Sequence, residues 1–232
     1  MNINIYQGVE NKISYTDVNI IIDVIRAFSV SYYAFTAGVK KIFLVDSIEG
    51  ALLLKQQSID YILSGEISGY KIKEFDYGNS PYDIMNLDLT NKILVQKTTN
   101  GVKATLNYLN ADNIYVTGFV NYYSLIKEIK KLNNYDLNIN IIASHPDSDD
   151  DLACADLLKK CLLNNNINIK QLEEETIYRI LNSNSAKKFL DKNNIDFSLL
   201  DLTMCMYPDR NNFVMKLKKE NNIPMIYKEI VC

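Results

Sequence analysis

Five short stretches of this sequence carry residues suited to phosphoryl and metal chemistry. Asp23-Val24-Ile25-Arg26 sets a carboxylate three residues before an arginine. At a strand end such an aspartate can ligate a metal, and the guanidinium can clamp an anion with parallel donors. A structural Asp–Arg pair fits the same letters. Gly65-Glu66 and the segment up to Asp76 supply two hard oxygen ligands of the kind Mg2+ takes, although loop acids are common one by one. In EFDYGNSPYDI, residues 74–84, Ser80 suits a helix N-cap, Pro81 the first helical position and Asp83 the third. Capping leaves Asp76 and Asn79 without a task, and a helix start also directs free N–H groups toward any anion nearby.

Thr98-Thr99-Asn100-Gly101 offers two hydroxyls, an amide and a flexible turn that could wrap phosphate oxygens. A capped turn is equally consistent, and the GxxxxGK[ST] pattern is absent. Ser148-Asp149-Asp150-Asp151 places three acids in one first helical turn, where the macrodipole favours negative charge. Three exceed what capping needs, and one could reach a metal held together with its anionic ligand. His145, just upstream, reads more readily as loop filler than as a catalytic acid.

These stretches must be positioned by the elements around them. Val18–Val24 is an apolar run broken only late, as in a strand buried on both faces. Further strands are predicted at Lys41–Val45, Tyr61–Leu63, Lys92–Gln96, Asn113–Thr117 and Asn138–Ala143. Helices are predicted between them at Ser29–Ala37, Ser47–Gln57, Pro81–Leu87, Val102–Leu109, Tyr122–Leu132 and Asp149–Leu163. Residues 64–79 read as a long functional or mobile loop. Strand–helix alternation implies a three-layer α/β/α fold with a largely parallel or mixed sheet. Residues 171–218 read as mostly helical and Pro224–Ile230 as a returning strand. The whole chain, 1–232, is expected to be one domain, with a helix-rich 164–232 packed on it. In open α/β sheets ligands bind at the carboxyl ends of strands, which is where the five stretches fall.

The 232 residues are 47% hydrophobic and 23% charged, with a formal net charge of −3. That is globular composition with no basic stripe, so nucleic acid and anionic membrane are poor partners. Lys127, Lys130 and Lys131 suit a solvated helix face. The four cysteines, Cys154, Cys161, Cys205 and Cys232, form no CxxC pair and have one histidine between them. Neither a zinc site nor a disulfide framework is suggested, and reduced cytosolic thiols are expected. The N-terminus carries no signal-peptide pattern, and the apolar runs fall far short of the ~20 residues that span a bilayer. A cytoplasmic protein is expected, with homo-oligomerisation left open.

The order of the motifs resembles the 2-phosphosulfolactate phosphatase family: DVIRA, then LSGE…IKEFDYGNSP, then TTNG, then Gly118-Phe119-Val120-Asn121, then DDLACA. The likeness covers about residues 18–160. It implies Mg2+-dependent hydrolysis of a small anionic phosphoester, 2-phosphosulfolactate, to sulfolactate and phosphate. By motif it carries over Asp23, Arg26, Glu66, Asp76, Asn79, Ser80, Thr98, Thr99, Asn100, Gly101, Asn121, Asp150 and Asp151. Among these, Asp23, Arg26, Asp76 and Asp151 are the catalytic candidates. Asp23, Glu66, Asp76, Asp150 and Asp151 are the metal candidates. Asn79, Ser80, Asn121 and residues 98–101 are the substrate-binding candidates. The sequence departs from the family where Ile67 replaces an arginine and where Lys97, Val102 and Lys103 flank the Thr-Asn-Gly run. Ser144-His145-Pro146-Asp147 replaces a Gly-containing loop. A family member that binds a small anion or a protein partner without turnover is the alternative reading.

Overall fold

The apolar run after residue 16 forms a strand whose side chains alternate between two cores, as period-2 geometry requires. Ile20 and Ile22 join one hydrophobic cluster and Ile21 joins another, all fully buried. The computed structural model of the chain describes residues 1–10, 12–132, 136–208 and 211–231. Its first half comprises β1 (Asn2–Gln7), β2 (Thr16–Ile22), α1 (Ala27–Thr36), β3 (Lys41–Leu44), α2 (Ile48–Lys55), β4 (Tyr61–Ile67), β5 (Tyr70–Lys71), α3 (Pro81–Met85), β6 (Ile93–Lys97) and α4 (Gly101–Asn107). β7 (Ala111–Thr117), a 3-10 turn at Phe119–Asn121, α5 (Tyr122–Lys131), β8 (Asn138–Ala143) and α6 (Asp149–Leu163) follow. The chain ends with α7 (Ile169–Leu181), α8 (Asn184–Leu190), α9 (Leu199–Cys205), β9 (Phe213–Glu220) and β10 (Ile223–Ile230).

The strands form one ten-stranded sheet in the order β1-β8-β2-β7-β9-β10-β3-β6-β4-β5. β1, β8, β2 and β7 pair in parallel, and so do β3, β6 and β4. The antiparallel hairpin β9–β10 joins the two groups, pairing β7 on one side and β3 on the other. Helices cover the sheet: α5, α6 and α7 build one hydrophobic cluster, α1, α3 and α4 another, and α2 packs in a third against β3, β4, β6 and β10. This is the expected α/β/α arrangement, with a mixed sheet.

α1 is the pivot. Every residue from Ala27 to Phe35 is buried, so the helix has no solvated face, as its nearly continuous apolar sequence requires. It shares one hydrophobic cluster with side chains from both parallel groups, including Ile21 and Val116 from one and Ile42, Leu44 and Leu94 from the other. Gln96 at the end of β6 seals the contact: Nε2 donates to Ala27 O at 2.9 Å, and Ser31 Oγ bonds Oε1 at 2.8 Å. The carboxyl ends of β2 and β6 therefore meet beside the N-terminus of α1.

Three sequence expectations are corrected. Residues 213–218 are strand β9 rather than helix. Lys, Met, Leu and Glu favour helix locally, but the tertiary slot between β7 and β3 imposes strand pairing. The Asn221-Asn222 turn, with φ of 50° and 64°, is a hairpin turn of the twisted type. β1 was not foreseen, and the 64–79 loop begins as strand, since β4 runs on through Ile67. Cys154, Cys161 and Cys205 are buried free thiols, and Cys232 lies outside the described residues. Among the described residues no helix is long and apolar enough to cross a membrane.

Candidate active site

A cleft of about 370 Å³ opens where these strand ends converge, lined among others by Asp23, Arg26, Glu66, Asn79, Thr99 and Asn100. Asp23 follows β2 directly and is buried. Its Oδ1 accepts from Ala27 N at 2.8 Å, which fixes the start of α1, and its Oδ2 lies 3.3 Å from Ser144 Oγ. Burial raises its pKa to about 7; nearby Asp150 and Glu66 push the same way, against the Ala27 and Ser144 hydrogen bonds. Gly101 opens α4 against this carboxylate. A Cβ there would stand 2.6 Å from Asp23 Oδ2 and 2.9 Å from Ala27 Cβ, so only glycine allows the approach.

Asp150 and Asp151 sit in the first turn of α6, both buried. Asp151 accepts three hydrogen bonds from the protein. Its Oδ1 accepts from Val24 N at 2.7 Å, and its Oδ2 accepts from Ser144 Oγ and His145 N, both at 2.9 Å. Asp150 Oδ1 accepts from Ser148 Oγ at 2.5 Å. Burial pushes both carboxyls up, Asp151 further because Asp150 and Asp23 add repulsion. Burial of this acidic group is tolerated by protonation or by a cation.

Glu66 works as a clamp. Its carboxylate accepts from Thr99 N at 2.5 Å, Thr99 Oγ1 at 3.0 Å and Gly69 N at 2.5 Å. Thr99 Oγ1 in turn accepts from Ser68 N at 2.9 Å. Thr98 Oγ1 accepts from Val102 N at 3.0 Å and so secures the start of α4. Asn100 precedes α4 with no capping hydrogen bond from its side chain and lines the cleft. Asn79 is buried at the cleft wall, and its Oδ1 has no partner among the described residues. His145 lines the cleft as well, with Nδ1 3.0 Å from Asp147 Oδ1.

Arg26 borders the cleft without a free guanidinium. Nη1 pairs with Asp201 Oδ2 at 2.8 Å and Nη2 donates to Gly69 O at 2.8 Å. Its charge lies 5.0 Å from the Phe189 ring centroid and 5.4 Å from that of Phe197.

Other sequence-nominated residues lie elsewhere. Asp76 does not line the cleft. Its Oδ2 accepts from Leu63 N and from Lys55 Nζ, each at 2.8 Å. Burial would raise that carboxyl, but Lys55 and Leu63 N hold it below the ordinary value. The nearest donors on β4 and α2 outcompete the cleft. Ser80 caps α3, accepting from Asp83 N at 3.1 Å, and donates to Asp201 Oδ1 at 2.7 Å. The α3 start does hold an anion, but a protein one: Tyr82 N also donates to Asp201 Oδ1. Asn121 folds its own turn, its Oδ1 accepting from Thr117 Oγ1 and Gly118 N. Ile67 is half-exposed and, like Lys97, stands outside the cleft.

Sequence reading missed Ser144, Lys188, Phe189, Phe197 and Asp201. Asp201 reads as an ordinary first-turn acid behind the Ser198 cap, so nothing local marks it as the partner of Arg26. The aromatic pair lies beyond the motif-bearing part of the chain.

The sequence model of the 2-phosphosulpholactate phosphatase family matches residues 3–220. A Bacillus subtilis (strain 168) protein named "Probable 2-phosphosulfolactate phosphatase" is 43% identical over 231 residues, covering 100% of both chains. A Clostridium novyi (strain NT) protein of the same name is 34% identical over 157 residues, 67% of this chain and 66% of its own. A Thermus thermophilus relative so named is 37% identical over 92 residues, 40% of this chain and 38% of its own. With a family match running nearly end to end over the residues that build this cleft, the chain belongs to the 2-phosphosulfolactate phosphatase family.

Proposed function

We propose that the protein hydrolyses 2-phosphosulfolactate, a small anionic phosphate monoester, to sulfolactate and phosphate, with Mg2+ as cofactor. The observation that carries this reading is Asp23, a buried carboxylate on the cleft wall amid further buried acids. Family membership supplies the reaction class.

The donor set suits Mg2+. Glu66 and Asp151 each accept three protein hydrogen bonds and Asp76 is bonded to Lys55, whereas Asp23 and Asp150 accept fewer and would hold the ion. Among the described residues no three acid, histidine or cysteine side chains surround one point. Mg2+ usually takes one or two carboxylates and completes its shell with water and substrate phosphate, so two suffice. When bound, the ion neutralises phosphoryl oxygens and acidifies water.

The chain's own residues do the remainder. Asn100 donates through Nδ2 to a phosphoryl oxygen and helps hold the ester in line, with Asn79 on the same cleft wall. Asp23 Oδ2 takes a proton from the attacking water as its oxygen bonds phosphorus. The P–O bond to sulfolactate breaks, and His145, on the same cleft, delivers a proton to the departing alkoxide. Glu66 keeps Thr99 and the turn at Ser68-Gly69 in register as a positioning residue.

The test is phosphate release from 2-phosphosulfolactate by the full chain, with Mg2+ and after chelation. Asp23→Asn should lower kcat by at least about a hundredfold. Turnover that is indifferent to chelation removes the metal role. No release under any condition removes the phosphatase reading.

A further inference from the structure

The turn at Ser68-Gly69 is held at every backbone polar group by a residue of the site. Ser68 N donates to Thr99 Oγ1 and Gly69 N to Glu66, while Gly69 O accepts from Arg26. The fourth group, Ser68 O, receives Lys188 Nζ at 3.4 Å, the longest of the four contacts. Positive φ values of 54° and 92° at Ser68 and Gly69 turn the strand end back, and Gly69 packs against Phe197 where a Cβ would stand 2.9 Å from the ring.

Lys188 comes from α8, outside the motif-bearing part of the chain, and lines the cleft. Its ammonium lies 5.4 Å from the Phe197 centroid. Among the described residues no carboxylate pairs with it, whereas Arg26, the other strong cation of the cleft, is committed to Asp201 and Gly69 O. The lysine thus brings to the cleft a positive charge that no salt bridge holds among the described residues, restrained by one long hydrogen bond and an aromatic face. A phosphoester bearing a second acid group needs such a charge away from the reacting phosphorus, and Ile67 cannot provide it.

We propose that Lys188 is a specificity-determining residue that receives an anionic group of the substrate other than the phosphate, releasing Ser68 O as it does so. This rests on the phosphatase reading above for the identity of the substrate, though not for the presence of an anion site. Arginine could serve the same end, and an uncharged chain of similar length could not.

The experiment compares the wild type with Lys188→Met and Lys188→Arg. kcat/KM is measured for 2-phosphosulfolactate, for 2-phospholactate, which lacks the sulfonate, and for 2-(phosphooxy)ethanesulfonate, which lacks the carboxylate. In Lys188→Met the preference for 2-phosphosulfolactate over one of the simpler esters should fall about tenfold, mainly through KM, and Lys188→Arg should restore most of it. A fall against 2-phospholactate assigns the sulfonate, and a fall against the other ester assigns the carboxylate. Sulfolactate binding by calorimetry should weaken about tenfold in Lys188→Met. Should the wild type bind sulfolactate yet hydrolyse no ester, the phosphatase reading fails and calorimetry alone decides Lys188. Preferences and affinity that stay within about twofold in Lys188→Met overturn the proposal, as does a wild type that neither binds nor turns over these compounds.

Discussion

Asp23 and Asp151 share one hydroxyl: Ser144 Oγ lies 3.3 Å from Asp23 Oδ2 and 2.9 Å from Asp151 Oδ2. A single proton cannot serve both carboxylates at once. Two buried acids around one donor hold a proton longer than free acids do, and both are shifted upward, first by burial.

That relationship fixes the sign of a pH effect. The unfolded aspartate releases its proton near 3.8 and folded Asp23 at about 7. The folded state binds more protons between these values. Its contribution to stability is complete below the lower value and is lost as pH rises through the upper one. In chelator, the melting temperature should therefore fall from pH 4 to pH 8, and Asp23→Asn should flatten the fall. Saturating Mg2+ should also flatten it, because a cation stabilises the charged form. A melting profile equally steep in Asp23→Asn assigns the effect to other groups.

Gly101→Ala tests the approach of α4 to Asp23. A methyl 2.6 Å from Oδ2 must displace that carboxylate or the helix start. Expected is a loss of turnover of about a hundredfold or more with the far-UV circular dichroism retained. Turnover near the wild-type value would mean that α4 shifts without disturbing Asp23.

Asp201→Ala should be costly, because it strands the buried Arg26 charge. Denaturant unfolding should report a loss of about 3–5 kcal/mol. Ser80→Ala removes a cap and one Asp201 contact, so about 0.5–2 kcal/mol is expected there. If Asp201→Ala proves no more harmful than Ser80→Ala, the Arg26 charge is compensated by something other than Asp201.

Asp76→Asn separates the two halves of the 74–84 stretch. The substitution weakens the tie to Lys55 and Leu63 N, worth about 1–2 kcal/mol. kcat/KM should stay within about threefold of wild type, since the side chain lies off the cleft. A collapse of activity in a stably folded Asp76→Asn protein would return Asp76 to the chemistry.

The sequence by itself determined the elements whose signals are local. From β2 to α6, the two-residue β5 apart, strand and helix follow in the predicted order because apolar periodicity and caps are set by neighbours a few residues apart. It also marked Asp23, Glu66, Asn79, Thr99 and Asn100, each at a strand end or helix start, and these do line one cleft. Only the tertiary structure decided how their hydrogen-bonding capacity is spent. Asp76 and Ser80 carry the same letters whether they face substrate or protein, and partners at Lys55, Leu63 and Asp201 settle the matter. β10 was legible as the returning strand Pro224–Ile230, but β9 and the hairpin's central place were hidden, because a lysine- and methionine-bearing run such as 213–220 becomes strand only when neighbouring strands present open edges. Lys188 reaches Ser68 at the cleft, and Asp201 reaches Ser80 and Arg26 beside it, across more than a hundred residues of chain, and no local spacing encodes contacts between residues so far apart in sequence.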